Sequence, residues 1–341
     1  MWRNYSPEVV RDELRVLHDH GLRQTRSFFY WPDFMPPPRR RWSPSRRLLP
    51  YLLVAPALCF ELLVHLLPML GGLYMSVLEL TQFYLRDWLN APFAGLSNFG
   101  FALDFNSAVG VTLLRSFAVT AGFSILTVGL SWLLGVFAAT LLQRSFRGRA
   151  VLRTLFLVPY ALPVYTAAMI WKFLLDQDDG MVNATLGGLG LTDGQTFWLL
   201  GDNAFLATVA TATWRLWPFA FLVVMAGMQS IPHDVYESAT VDGAGLWQQF
   251  RSITLPMLRP VNQVLVLVLF LWTFNDFNVP YILFDKSVPN AANLLSIHIY
   301  NNSFITWNFG LGSAMSTLLL LFLLVVTAGY LAFTSRRMKD A

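Results

Sequence analysis

Six apolar runs, at approximately Leu48 to Met75, Val111 to Leu142, Val151 to Leu175, Phe205 to Met228, Val261 to Phe284 and Phe309 to Phe333, constrain this chain more than any other feature. Each is long enough to cross about 30 Å of hydrocarbon as a helix. Because a backbone in lipid must satisfy its own polar groups, the runs predict helices and the chain an all-α membrane protein, a six-helix transmembrane bundle. Composition agrees, with 55% hydrophobic and 13% charged residues in 341 and a mean hydropathy of +0.50. The same composition excludes several functions. The lysines are Lys172, Lys286 and Lys339, and none stands in a G-x-x-x-x-G-K-[ST] context, so no P-loop is present. Cys59 is the one cysteine, which rules out an internal disulfide and a thiolate metal cluster. The formal charge of +4 sits at chain ends and short connections, which suits orientation against membrane lipid and not a nucleic-acid face.

The charges also orient the spans. Arg39, Arg40, Arg41, Arg46 and Arg47 precede the first run, Arg144, Arg147 and Arg149 fill the second connection, Arg251 and Arg259 the fourth, and Arg336, Arg337 and Lys339 the C-terminus. Connections one, three and five carry Asp87, Asp104, Asp176, Asp178, Asp179, Asp193 and Asp202. The positive-inside rule therefore predicts cytoplasmic termini and a cytoplasmic fourth connection. Residues 1–47 read as a cytoplasmic Arg/Pro-rich tail, with Pro36-Pro37-Pro38 as an extended linker, and residues 48–341 as the membrane domain. The tail lacks the apolar core of a signal peptide, so no cleavage is expected. Its stretch Arg11 to Pro36 resembles a helix-then-strand fragment of a barrel-type glycoside hydrolase, but a fragment with no core to bury implies no enzyme.

Between the fourth and fifth runs lies a polar island, Ser230 to Pro260. Pro232 suits a first helical position, Asp234 the positive end of the helix dipole, and Asp242-Gly243 a stop. Leu246, Phe250 and Ile253 then recur at i, i+4 and i+7 before Pro256, which removes a donor and ends or kinks the helix. The island predicts two short helices bent at a glycine.

Glu237-Ser238-Ala239, Asp242-Gly243-Ala244, Gln249-Phe250 and Ile253-Thr254-Leu255-Pro256 resemble the EAA loop of ABC importer permeases, nearest to their sugar-transporting, maltose-type branch. Ser238 stands where that pattern has alanine, a small-for-small change. The resemblance extends over Leu48 to Lys339 through Phe146-Arg147-Gly148-Arg149, Leu157 to Pro163, Trp171, Gly180 to Asn183, Trp214-x-x-x-Pro218-Phe219, Phe274-Asn275-Asp276-Phe277 and Gly310 to Ala314. It implies the type I importer permease fold, with the loop at 230–260 as a cytoplasmic coupling helix that docks on an ATPase subunit through Glu237, Ser238, Ala239, Asp242, Gly243, Ala244, Phe250 and Pro256. The implied partners are ABC ATPase subunits, a second permease and an extracytoplasmic sugar-binding protein. ATP and Mg would then sit on the partner subunit, with no cofactor or metal in this chain. The implied location is a bacterial-type inner membrane, with several passes.

Charged residues inside the runs leave alternatives open. Glu61 and His65, four apart, share a face and read either as a proton relay or as a satisfied pair. Arg215 and Asp276 lie within spans, where a central charge costs roughly 3 kcal/mol and is paired or cavity-lining. Leu269, Thr273 and Asp276 fall on one helical face at i, i+4 and i+7, and by resemblance that face meets sugar at mid-membrane, with Arg215 to Phe219 across the cavity. The candidate substrate set is Arg215, Trp217, Phe219, Thr273, Asn275 and Asp276; the rival reading makes Arg215 and Asp276 a purely structural pair. Leu269 and Thr273 replace other polar groups of the relatives, which leaves the sugar open. Of Trp214, Trp217 and Trp272, one is expected to stack on a sugar ring. Pro159 and Pro163 would each cost about 3 kcal/mol in a plain helix, which predicts packed neighbours that satisfy the freed carbonyls. The resulting expectation is the permease subunit of an ATP-driven sugar importer, without catalytic residues, and the competing class is a proton-coupled secondary transporter.

Overall fold

The computed structural model describes residues 7–20, 48–143 and 146–339, with no account of the side chains at 336–339. Arg39 to Arg41, Arg46, Arg47, Arg144, Pro36 to Pro38 and most of the hydrolase-like stretch lie outside the described residues. The chain divides into two units, 1–65 and 66–341. The first contains helix α1 (Pro7–Asp19) and helix α2 (Leu49–Glu61). All of α2 except Ala55 is exposed, and its residues are almost all apolar. Glu61 and His65 do meet, at 3.3 Å on an exposed face. A π-turn over Leu62–Leu66 continues α2 into α3 (Leu67–Met75), giving an apolar stretch of 27 residues.

The second unit is built on α5 (Ala108–Leu141) and α9 (Asn203–Gln229), both long and apolar enough to cross a membrane. They pack on each other, and small side chains are buried on both, Ser116, Thr120, Ser124, Thr127 and Ser131 on α5 and Ala207, Thr208, Thr211 and Ala220 on α9. Where lipid is as apolar as leucine, close backbone approach takes over from hydrophobic driving force. Gly135 shows how close: a Cβ there would lie 2.7 Å from the Cβ of Ala220. At the far end of α9, Leu216, Phe221, Val224 and Met228 close a core with Leu258, Leu265 and Leu269. The last helix, α16 (Phe309–Lys339), packs on α3 and on the short helix α4 (Ser97–Leu103).

Two of the six expected helices are not single spans. The third run breaks into α6 (Arg149–Ala161) and α7 (Val164–Leu174), inclined at 94°. The ring of Pro163 forces Leu162 out of the helical region, and Leu162 is extended at ψ 138°. Pro159, expected to be equally disruptive, stays inside α6. Within α8 (Met181–Gly188), the buried Asn183 ties the third connection together, donating to the carbonyls of Gln177 and Thr196 and accepting from the Trp198 indole. The fifth run ends its first helix, α13 (Arg259–Phe274), at Phe274 and resumes as α14 (Asn278–Phe284).

The island between the fourth and fifth runs folds as α10 (His233–Val241), α11 (Leu246–Gln249), a π-turn over Phe250–Thr254 and α12 (Leu255–Met257). Two details differ from the expectation. Pro232 is the N-cap and not the first helical residue. Pro256 does not end its helix, which runs on from the π-turn to Met257; the 69° bend into α13 falls two residues later, at Leu258. Helix α15 (Leu295–Tyr300) and a third π-turn, Asn301–Ile305, complete the unit.

Candidate functional site

Two features of the second unit stand out, a cavity and an exposed loop. The loop is shaped by the triplet Asp242-Gly243-Ala244. Gly243 has φ +79°, its N–H donates to Thr240, and the N–H of Ala244 reaches back to Ala239. Those two bonds are the Schellman closure of a helix, and its left-handed residue is the one position where a Cβ is strained. Asp242 is the C-cap of α10, just before that turn. Ser238 donates its hydroxyl to the Asp234 carbonyl, and Glu237 accepts from His233 at 3.3 Å when the imidazole is protonated there. The Gln249 amide braces the two short helices by donating to Ala244 O and Thr240 Oγ1. Phe250 packs inward beside Leu258, whereas Val241, Leu246 and Trp247 are exposed. Exposed apolar side chains grouped on one loop mark an interaction surface, for a protein or for lipid.

The cavity, about 800 Å³, lies where α9, α13, α14 and α16 meet. Arg215, Trp272, Asn275, Asp276 and Asn278 supply its polar and aromatic lining, and Leu320, Leu324 and Leu331 of α16 its apolar wall. The break after Phe274 creates this floor. Asp276 is 8% exposed, and its Oδ1 accepts from the Val279 N–H at 3.2 Å, which caps α14. The hydroxyl of Ser296 donates to the Asp276 carbonyl at 2.7 Å, so both sides of the break are pinned. Arg215 projects from α9, and its buried Nε has no hydrogen-bond partner. The ion-pair contacts among the described residues all involve histidine, so Arg215 and Asp276 face one cavity without bonding to each other.

The expected substrate set is therefore only partly brought together. Arg215, Asn275 and Asp276 line the cavity; Trp217, Phe219 and Thr273 do not. Thr273 is 1% exposed and bonds back to Leu269 and Phe270 of its own helix, while Asp276 lies beyond the helix end, so the three do not form one polar face. Trp217 packs edge-on against Phe156 in the core, at 5.2 Å between ring centres. Phe219 supports the wall indirectly, with its ring 4.9 Å from that of Trp272. Trp272 is the one of the three candidate tryptophans that lines the cavity, and Asn278 lines it without having been expected to. The three-residue spacing of Asn275 and Asn278 was the available signal, and nothing local marks the α16 leucines.

Apolar helices around a polar-floored cavity, with a braced exposed loop beside them, define a multi-pass membrane transport subunit. The chain belongs to the family of binding-protein-dependent transport system inner membrane components, which it matches over residues 131–339. It is 32% identical over 284 residues to the trehalose/maltose transport system permease protein MalF of Thermococcus litoralis, covering 83% of this chain and 92% of that protein. It is 32% identical over 295 residues to the sn-glycerol-3-phosphate transport system permease protein UgpA of Agrobacterium fabrum, covering 85% and 96%. Among solved structures, it resembles a chain of a bacterial alginate ABC transporter in complex with an alginate pentasaccharide-bound periplasmic protein, with a TM-score of 0.74 at 21% identity over 86% of this chain and 96% of that one. The fold is thus that of ABC importer permeases, and the family sets aside the proton-coupled secondary transporter.

Proposed function

We propose that this chain is the membrane-spanning subunit of an ATP-driven importer of a sugar or oligosaccharide. Relatives named for trehalose/maltose and sn-glycerol-3-phosphate transport support a polyhydroxylated substrate. The observation that carries the reading is the cavity, whose guanidinium, two amides and an aromatic ring are the groups that hold hydroxyls and sugar faces. An extracytoplasmic binding protein delivers the sugar to the acidic outer connections, a second permease closes the open side of the cavity, and ATPase subunits carrying ATP and Mg grip the loop at Glu237, Ser238, Ala239, Asp242, Gly243 and Ala244. Taking α6 with α7 and α13 with α14 as one crossing each, beside the four long apolar helices, makes six, with both termini and the loop on the cytoplasmic side.

The test is purification in mild detergent followed by reconstitution with the binding protein. An ATPase subunit should co-purify, and loaded binding protein should stimulate ATP hydrolysis and sugar uptake. Gly243→Val places a β-branched residue at φ +79° and should abolish uptake while leaving the chain in the membrane. Normal uptake by that variant would show that the loop does not couple.

A further inference from the structure

Tyr236 stands beside Glu237 on α10 but faces the other way. Glu237 is exposed, whereas the Tyr236 ring packs against the core that holds Met228, Ile231 and Leu258. Its hydroxyl is hydrogen-bonded at 2.9 Å to Thr254 Oγ1, and Thr254 is buried. The Thr254 hydroxyl in turn lies 3.5 Å from the Gln249 carbonyl. When Tyr236 donates to Thr254 and Thr254 to Gln249, a two-step chain of hydrogen bonds runs from α10 across the π-turn Phe250–Thr254.

That turn is a register device. Its closing bond runs from the Leu255 N–H to the Phe250 carbonyl, one residue further than an α-helix allows. Collapse to α geometry would rotate everything beyond it by about 100° relative to the preceding turn. What lies beyond is the hinge at Leu258 and then α13, a rod of about 24 Å whose far end carries Asn275 and Asp276 at the cavity.

We propose that Tyr236 is a positioning residue for energy coupling: its bond to Thr254 locks the π-turn, so that displacement of the loop is passed to α13 and the cavity instead of being absorbed at the turn. The inference rests on the coupling role proposed for the loop. It separates two jobs on adjacent residues, with Glu237 facing the partner and Tyr236 facing the rod.

The experiment uses the whole reconstituted transporter, with both permeases, ATPase subunits and binding protein, and reads sugar moved per ATP hydrolysed. Tyr236→Phe removes one oxygen and should lower that ratio at least fivefold, with the amount of co-purified ATPase unchanged. Thr254→Val should match it, the double variant should be no worse than either single one, and Thr254→Ser, which keeps the hydroxyl, should retain the ratio. A normal ratio in Tyr236→Phe, additive losses in the double variant, or loss of bound ATPase in Tyr236→Phe would each overturn the inference. Failure of the unaltered chain to bind any ATPase would instead overturn the coupling reading beneath it.

Discussion

The third and fifth apolar runs are both broken, and what holds each break differs. Between α6 and α7 the cause is covalent: the Pro163 ring fixes the turn whatever surrounds it. Between α13 and α14 no proline stands at the break, and the turn is held by Asp276 accepting from Val279 and by Ser296 donating to the Asp276 carbonyl. A break made by a ring needs no partner, whereas one made by hydrogen bonds depends on each of them. The second break lines the cavity and the first does not. The permanent bend shapes the bundle, and the conditional one is where a change of state can act.

The largest effect is expected at the conditional break. Asp276→Ala leaves the buried Val279 N–H unpaired, at a cost of about 1–3 kcal/mol, and removes the cavity carboxylate. Uptake should fall at least tenfold, with a lower melting temperature in detergent. Asp276→Asn keeps an acceptor for Val279, so it should fold normally and still lose uptake; full activity in both variants would make the break mere architecture.

Arg215→Gln comes next. Among the described residues no carboxylate is ion-paired with Arg215, so its removal should spare membrane abundance while uptake drops several-fold. A collapse in abundance would restore the structural-pair reading of Arg215 and Asp276. Pro163→Ala sharpens the contrast from the other side. Without the ring Leu162 is free to return to helical geometry, so the bend should loosen and uptake should fall about threefold. Full uptake with the bend kept would show that packing and not the ring holds it, and would erase the distinction between the breaks. The smallest effect belongs to Thr273→Val, because that hydroxyl bonds only to carbonyls of its own helix. About 0.5–1 kcal/mol of stability and no change in the order of sugars transported are expected. A shift in sugar preference would put Thr273 on the pathway after all.

These contrasts also show what was legible in advance. The apolar runs, the loop and the left-handed Gly243 follow from composition, flanking polarity and one D-G dipeptide. The breaks do not, because hydropathy records how apolar a segment is and not whether it bends. Pro159 and Pro163 look alike in sequence, yet only Pro163 ends a helix. At the cavity, extrapolating one helical face through Leu269, Thr273 and Asp276 assumed a helix that stops at Phe274. A buried threonine is also ambiguous by nature, since its hydroxyl bonds back to the preceding turn as readily as to a ligand. The face of α13 toward the cavity is set by Leu271 and Trp272, and the opposite wall comes from a helix some fifty residues downstream.

The bend at Pro163 has a consequence for how the protein is made. Helices α6 and α7, with 13 and 11 residues, are about 20 Å and 16 Å long, and neither reaches across about 30 Å of hydrocarbon by itself. Both rest on α9, which is synthesised later. A nascent chain halted near residue 200 should therefore hold its third segment loosely, open to protease or cysteine labelling from the aqueous side. Extension to residue 229, which completes α9, should protect it, so that the order of synthesis leaves one segment waiting for its support.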